Sequence, residues 1–528
     1  MDRDRPRASL GRPQGWDPVW QRPVPPSAGA RLAPVGVFLV SLVAYLRTLM
    51  PGIAFDNWGE FQTVPAVLGI AHPTGYPTYI LAARLFGILP IGSVAFRANL
   101  FSAVLAALAL ATLTWTATRL GVRPAVAAGG ALAAGAVGTV WAAATVAGVD
   151  PLHLLLMALL LDRSLAWGDH GRPVDLALCG LLTGLALGNL MLTLAVAPFL
   201  ALFALWAGRQ TLVERPPLLF LPLLTLAAGL AVYLYLPLAA RLDPPLPYNH
   251  PDTLDAFLTL VTGAQARGPG GPLGPDSLRT TLDALPALLG ILAAQGALVL
   301  PAAGLVGTVI LVVRRPALGL ALVAILLVGA HVWANDQRQE RDLLWPLLLL
   351  GLGSAVALEA LARTGGSRLR GFAGRTAGPV AAAAGVVLAV AVASLALPAA
   401  DRSHDRSGED FAAAMTAQLP PNAAVFSFWS ASTPLWHVQL VRGERPDLLV
   451  VDETAIAFEP GGTREDRMRT AVCQRPVYLL LADEEALATA RQSFTLQPAF
   501  GVTVGVGSPS GTTPLTVYRV GASADTCP

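Results

Sequence analysis

Residues 32–61 read LAPVGVFLVSLVAYLRTLMPGIAFDNWGEF. The first eighteen, Leu32 to Leu49, carry one charge, Arg47, near their end. At 1.5 Å per helical residue they are long enough to cross a hydrocarbon layer of about 30 Å. Immediately beyond them two carboxylates, Asp56 and Glu60, stand within five residues of each other. No convincing small-x-small cleavage site follows the run, so an uncleaved anchor is expected rather than a signal peptide.

The same apolar character recurs along the chain, at roughly 98–118, 124–148, 151–167, 174–189, 190–207, 217–240, 285–313, 317–334, 343–362 and 379–398. At about 20 residues for each crossing, this predicts about eleven spans. Composition agrees: of 528 residues 54% are hydrophobic and 13% charged, and the mean hydropathy is +0.57. A soluble domain would carry about 25% charged residues, so a water-soluble globule is excluded. Net charge is +2 with no basic patch, and nucleic acid is not an expected partner. All 36 basic Lys+Arg positions are Arg, which removes Schiff-base chemistry. Three Cys are too few for a disulfide scaffold or a thiolate metal site.

Arginine distribution predicts orientation. With the amino terminus in the cytoplasm, inner segments before residue 400 hold eighteen Arg and outer segments eight. The expected organisation is a disordered cytoplasmic tail (1–31), a transmembrane domain (32–400) whose first outer loop is 51–96, and an extracytoplasmic α/β domain (401–528). In that last part, Val425–Phe428, Leu448–Val451, Val477–Leu481 and Leu515–Tyr518 read as strands. Cys473 and Cys527 lie in it and can pair outside the cytoplasm, whereas Cys179 falls in a span and reads as packing. The domain either presents the acceptor or braces the membrane part.

Several residues bear chemistry. Asp56 and Glu60 sit about one helical turn apart, close enough to converge on one substrate as general base and positioning acid, or to bind a cation. The same spacing suits two solvated acids at a helix start. His72, in Ala71-His72-Pro73-Thr74-Gly75-Tyr76-Pro77, can hydrogen-bond a phosphate or sugar hydroxyl, or simply tie down a turn. Tyr76 is a substrate-contact candidate, although both it and Tyr79 also suit the membrane interface. Asp150 and His153 flank the outer end of a later span. Arg338 and Arg341, in the polar stretch 331–342, can clamp a phosphate or pair with Asp336, Glu340 and Asp342.

The run DNWGEFQ (56–62), with LGIAHPTGYPTY (68–79) and RANLFSA (97–103), resembles the signature of the family catalogued as domain of unknown function 2723, which includes transmembrane protein 260. The likeness continues in YLYLPLAAR (233–241), in 251–265, and in VRGERPDLLVVD (441–452). It implies a GT-C glycosyltransferase, a polytopic enzyme that takes a sugar, here mannose, from a polyprenyl-phosphate carrier and passes it to a hydroxyl of an extracytoplasmic protein. By position Asp56 and Glu60 match the family's first-loop acids and His72 its His-Pro. Gly148-Val149-Asp150 stands where an acid-Val-Tyr is expected, and Asn189-Leu190 where many members have Asn-His. The resemblance implies no resident cofactor beyond the lipid-linked donor, with a divalent cation not favoured. A transporter or flippase of lipid-linked sugars would need charges at mid-membrane. The spans have almost none, Asp162 and Arg163 lying near an inner end. A non-catalytic relative of the transferase is the remaining alternative.

Overall fold

The computed structural model describes residues 28–264, 274, 276–296, 298–336, 339–368, 372–456, 462–505 and 511–521. The amino-terminal part runs α1 (Ala28–Arg47), α2 (Asp56–Val67), α3 (Pro77–Phe86), α4 (Val94–Arg119), α5 (Pro124–Gly135), α6 (Gly138–Ala144) and α7 (Asp150–His170). Among the described residues seven helices are long and apolar enough to cross a membrane: α1, α4, Pro216–Ala240, Ser277–Ala294, Pro316–Asn335, Glu340–Gly365 and Thr376–Ala400. Shorter apolar helices occupy Pro173–Leu187, Thr193–Ala207 and Val299–Arg314.

Against about eleven expected spans, seven helices among the described residues qualify, or eight if a bent pair counts as one, and two expected spans are interrupted. The run 124–148 is not one rod: α5 and α6 meet at a 79° bend. Val137 leaves helical geometry there at φ −60°, ψ 135°. The run 285–313 is two helices, Ser277–Gly296 and Val299–Arg314, with Leu298 in left-handed conformation between them. Hydropathy sees neither break, because Val137 and Leu298 are as apolar as their neighbours.

Close helix packing rests on small residues, as expected where lipid gives little hydrophobic drive. At Gly307 an added Cβ would lie 1.7 Å from the Gly353 carbonyl oxygen, so the helices Val299–Arg314 and Leu344–Arg368 approach backbone to backbone. Buried charge collects at the helix ends farthest from residues 94, 150 and 340. Asp162 pairs with Arg163 and Arg119, Asp175 with Arg163, and Glu359 with Arg123 and Arg363. Pairing offsets part of the desolvation cost of these buried carboxylates.

The carboxy-terminal part forms one mixed five-stranded sheet. Its strands are β1 (Ala424–Ser427), β2 (Leu449–Asp452), β3 (Val477–Leu480), β4 (Thr495–Gly505) and β5 (Thr512–Gly521), in the order β2-β1-β3-β5-β4. β1 runs parallel to β2 and β3, while β5 is antiparallel to β3 and β4. The four strands expected from apolar runs are present; β4 is additional. Alternation along β1 sends Val425 to one face, against Phe411, Met415 and Leu435, and Phe426 to the other, against Met468 and Leu487. Phe55, from the segment between α1 and α2, is fully buried in the first of these cores, its ring 5.5 Å from Phe411. Cys473 is disulfide-bonded and Cys179 free and buried; Cys527 lies outside the described residues.

Candidate active site

The segment 50–55 is laced into place before it delivers Asp56. Asn99, fully buried on α4, donates from Nδ2 to the Met50 carbonyl (2.8 Å). Its Oδ1 accepts from Gln62 Nε2 and from the Ala147 amide, both at 2.9 Å. Gln62 in turn accepts from the Ala54 amide (2.9 Å) and donates to the Gly52 carbonyl (3.1 Å). Every donor and acceptor here is spent on backbone or on the partner amide, and such a satisfied buried network rigidifies what it holds.

Asp56 then opens α2 with φ +58°, a left-handed conformation that Asp tolerates better than most residues. Its side chain is half-buried and Oδ1 accepts from the Asn57 amide at 2.8 Å. Burial pushes its carboxyl above the ordinary aspartate range, opposed by that amide and by His72 and reinforced by Glu60.

Glu60 does not converge with Asp56 on open space. It is 2% exposed, and its carboxylate is taken up by His72: Oε1 accepts from the His72 backbone N–H at 2.8 Å, and Oε2 pairs with Nδ1. On the far side of the ring, Nε2 lies 3.2 Å from the Tyr76 hydroxyl, which donates to the Pro73 carbonyl at 3.0 Å. The His-Pro turn closes through Gly75 at φ +81°, where any Cβ would be strained. Tyr76 and Tyr79 are both buried, with Phe61 packed edge-on against each at 5.2 Å. They are core residues of this turn and not interfacial anchors.

The sheet domain reaches into the same place. Trp429 opens the helix Trp429–Trp436, and its Nε1 donates to Asn57 Oδ1 at 2.9 Å. Its ring stands edge-to-face with His72 (5.8 Å), Tyr248 (6.2 Å) and Trp436 (5.6 Å). That helix docks on α2 through Gly59, where a Cβ would sit 2.4 Å from the Ala54 oxygen and 2.8 Å from Thr433 Oγ1. Further along, Thr63 Oγ1 lies 3.1 Å from His437 Nδ1. His437 is 1% exposed, and burial, helped by Arg442, pulls its pKa down to about 3.

Asp150 begins α7, half-buried and in electrostatic contact with Arg341. Arg341 also acts on Tyr76, which brings Asp150, Arg341 and the His-Pro turn into one neighbourhood. Among the described residues Arg341 has no ion-pair partner within 4.0 Å, although Asp150, Asp342 and Asp336 act on it electrostatically. Asn189 donates to the Val149 carbonyl at 3.0 Å and fixes the start of α7. His153, one turn on, is 3% exposed, and among the described residues neither ring nitrogen has a hydrogen-bond partner. Arg338 lies outside the described residues. Among the described residues no group of three or more His, Cys, Asp or Glu is placed to hold a metal.

Sequence reasoning missed Asn57, Gln62, Asn99, Tyr248 and Trp429. Asn99 was the detectable one, an amide inside an otherwise apolar run, which in a membrane helix points to a specific partner. Trp429 lies 373 residues beyond Asp56, in a different layer of the fold, and no local pattern links the two.

Residues 57–213 match the family described as protein O-mannosyl-transferase TMEM260 N-terminal domain. Protein O-mannosyl-transferase TMEM260 of Mus musculus is 33% identical over 245 residues, covering 44% of this chain and 34% of the mouse protein. The chain thus spans about a third of the length of the curated relative it matches. In solved structures the fold is similar, over 95% of the chain, to ArnT from Cupriavidus metallidurans bound to undecaprenyl phosphate (TM-score 0.57, 13% identity, all of that chain). It is equally similar to ArnT in the apo state (TM-score 0.58, 14% identity, 99% of that chain). The fold is thus GT-C-like, as expected, and shared with ArnT over nearly the whole chain.

Proposed function

We propose that this chain is a membrane glycosyltransferase that moves mannose from a polyprenyl-phosphate carrier to hydroxyl groups of proteins outside the cytoplasm. The observation that carries the reading is the setting of Asp56. Its half-buried carboxyl has a raised pKa and stands at the meeting point of α2, the His-Pro turn and the sheet domain, with the unpaired Arg341 in the same neighbourhood. The likeness to TMEM260 along the amino-terminal part supports it, as does the fold shared with ArnT, a protein solved with undecaprenyl phosphate bound.

In this reading Asp56 takes the proton of the acceptor hydroxyl as its oxygen attacks the anomeric carbon. The bond from that carbon to the phosphate oxygen breaks, and the lipid phosphate leaves with the electron pair. Arg341 meets the charge that develops on the phosphate. Glu60 does not share the proton; it holds His72 against the sugar or acceptor hydroxyls. Asp150 adds a nearby negative charge that keeps Arg341 cationic, and His153 offers a further polar contact on the donor side. In this reading the sheet domain and residues 51–96 face outward and the amino terminus inward, the orientation that the arginine bias favours.

The test is transfer of labelled mannose from polyprenyl phosphate to acceptor protein by membranes containing the chain. Asp56→Asn is nearly isosteric and should lower the rate by about 10²–10⁴-fold without loss of folded protein. Wild-type turnover in that variant would remove Asp56 as base.

A further inference from the structure

Aromatic rings from three separate stretches meet beside Asp56: His72 from the His-Pro turn, Tyr248 from the connection after residue 240, and Trp429 with Trp436 from the sheet domain. The mechanism above uses neither tryptophan. Trp429 and Tyr248 are only half-buried, as are Asp56, Asn57 and His72, so the cluster is not sealed inside the core. The indole is also held in orientation, because its N–H donates to Asn57, the residue after Asp56. A ring needed only for packing would be covered; this one is fixed and left partly open.

Aromatic surface beside a carboxylate and an amide suits a pyranose, whose C–H face packs on the ring while its hydroxyls bond the polar groups. We propose that Trp429, with Tyr248, forms the platform on which the donor's sugar packs, so that the sheet domain contributes directly to sugar binding. The inference rests on the transferase reading and adds to it. Geometry favours the sugar over the acceptor polypeptide. Asp56 must touch the attacking oxygen, which approaches the anomeric carbon to about 3–3.5 Å. The sugar ring therefore lies close to the neighbours of Asp56, among them Trp429, which is bonded to Asn57 and carries Tyr248 against its ring.

The experiment compares binding of polyprenyl-phosphate mannose and of sugar-free polyprenyl phosphate to the full-length purified chain. Wild type should prefer the sugar-bearing lipid by about tenfold, the scale of one aromatic contact with its hydrogen bonds. Trp429→Ala should erase that preference and leave sugar-free affinity unchanged, and Trp429→Phe should keep most of it. Should Trp429→Ala not fold, Tyr248→Ala carries the test and should lower the preference several-fold. An undiminished preference in Trp429→Ala and Tyr248→Ala overturns the proposal, as does a wild-type protein indifferent to the sugar. A raised KM for acceptor alone, with donor preference intact, overturns it in favour of an acceptor platform. A wild type that shows the preference, loses it in Trp429→Ala, and transfers nothing would sink the transferase reading while the platform stands.

Discussion

Glu60→Gln tests how the site is built. The native carboxylate is 2% exposed and meets two donors, the His72 amide at 2.8 Å and His72 Nδ1. Glutamine fits the same volume but offers one acceptor oxygen, so one His72 donor must face the new NH₂ group. One charge-assisted hydrogen bond is lost, about 1.5–3 kcal/mol, and a buried donor is left unmatched, about 1–3 kcal/mol. With some relaxation of the turn, the net effect should be roughly 2–4 kcal/mol. Thermal unfolding of the detergent-solubilised chain, followed by intrinsic fluorescence, should show a midpoint several degrees lower. Mannose transfer should fall by about 10–100-fold, the usual consequence of freeing a ring that a buried carboxylate orients. Because both side chains act as one unit, Glu60→Gln combined with His72→Ala should cost scarcely more than the worse single variant. A Glu60→Gln protein with wild-type midpoint and turnover would refute the claim that the pair shapes the site. Strictly additive losses would refute the claim that it acts as a unit.

Two pH effects follow from burial. The Asp56 carboxyl sits above its ordinary 3.8, so it stays protonated, and useless as a base, to higher pH than an exposed aspartate. The acid limb of kcat/KM should therefore lie above the usual carboxylate range and vanish from the residual rate of Asp56→Asn. His437, depressed from 6.5 to about 3, contributes stability that is fully present above pH 6.5 and drains away as pH falls toward 3. His437→Gln should flatten that dependence in acid-titrated unfolding, and an unchanged pH slope would contradict the neutral, buried assignment.

How much of this was legible in sequence depends on range. Most apolar helices, four of the five strands and the acidic first loop are written in local periodicity. The bend between α5 and α6 and the break at Leu298 were not legible, because both are changes of backbone conformation among apolar residues. Asp56 and Glu60 were recognisable as a pair in sequence, but their roles were not. Both are acids on one helix, and only the fold says that one is claimed by His72 twelve residues on while the other stays uncommitted. Arg341 and Asp150 were each visible as charges at a span end. Their meeting next to Tyr76 is tertiary. Trp429 was invisible for the same reason in stronger form, since it arrives from a separate layer of the fold.

The division of the chain into a membrane part and a terminal sheet is itself less clean in space than in sequence, and a truncation brings this out. Phe55, fully buried, completes the core around Phe411, Met415 and Val504, and it immediately precedes the proposed base. Gly408 lies so close to the Ile53 carbonyl that a Cβ would come within 2.2 Å of its oxygen, and Glu409 accepts from the Ile53 amide at 3.3 Å. The Arg402 amide donates to the Thr48 carbonyl at 3.0 Å, fixing the exit of α1. Removing the residues after Pro398 would expose Phe55, at a cost of about 1.5–3 kcal/mol for that side chain alone. It would also strip the support of Gly408, Glu409 and Arg402 from the segment that presents Asp56. A sheet that merely handed over the acceptor could be deleted with hydrolysis of the lipid-linked sugar intact. These contacts predict otherwise: the truncated chain should lose hydrolysis and transfer together, because Asp56, the proposed base, is no longer held in place. Normal hydrolysis by the truncated chain, with transfer to protein alone impaired, would show that the sheet serves the acceptor and that the contacts through Phe55 are dispensable to the chemistry.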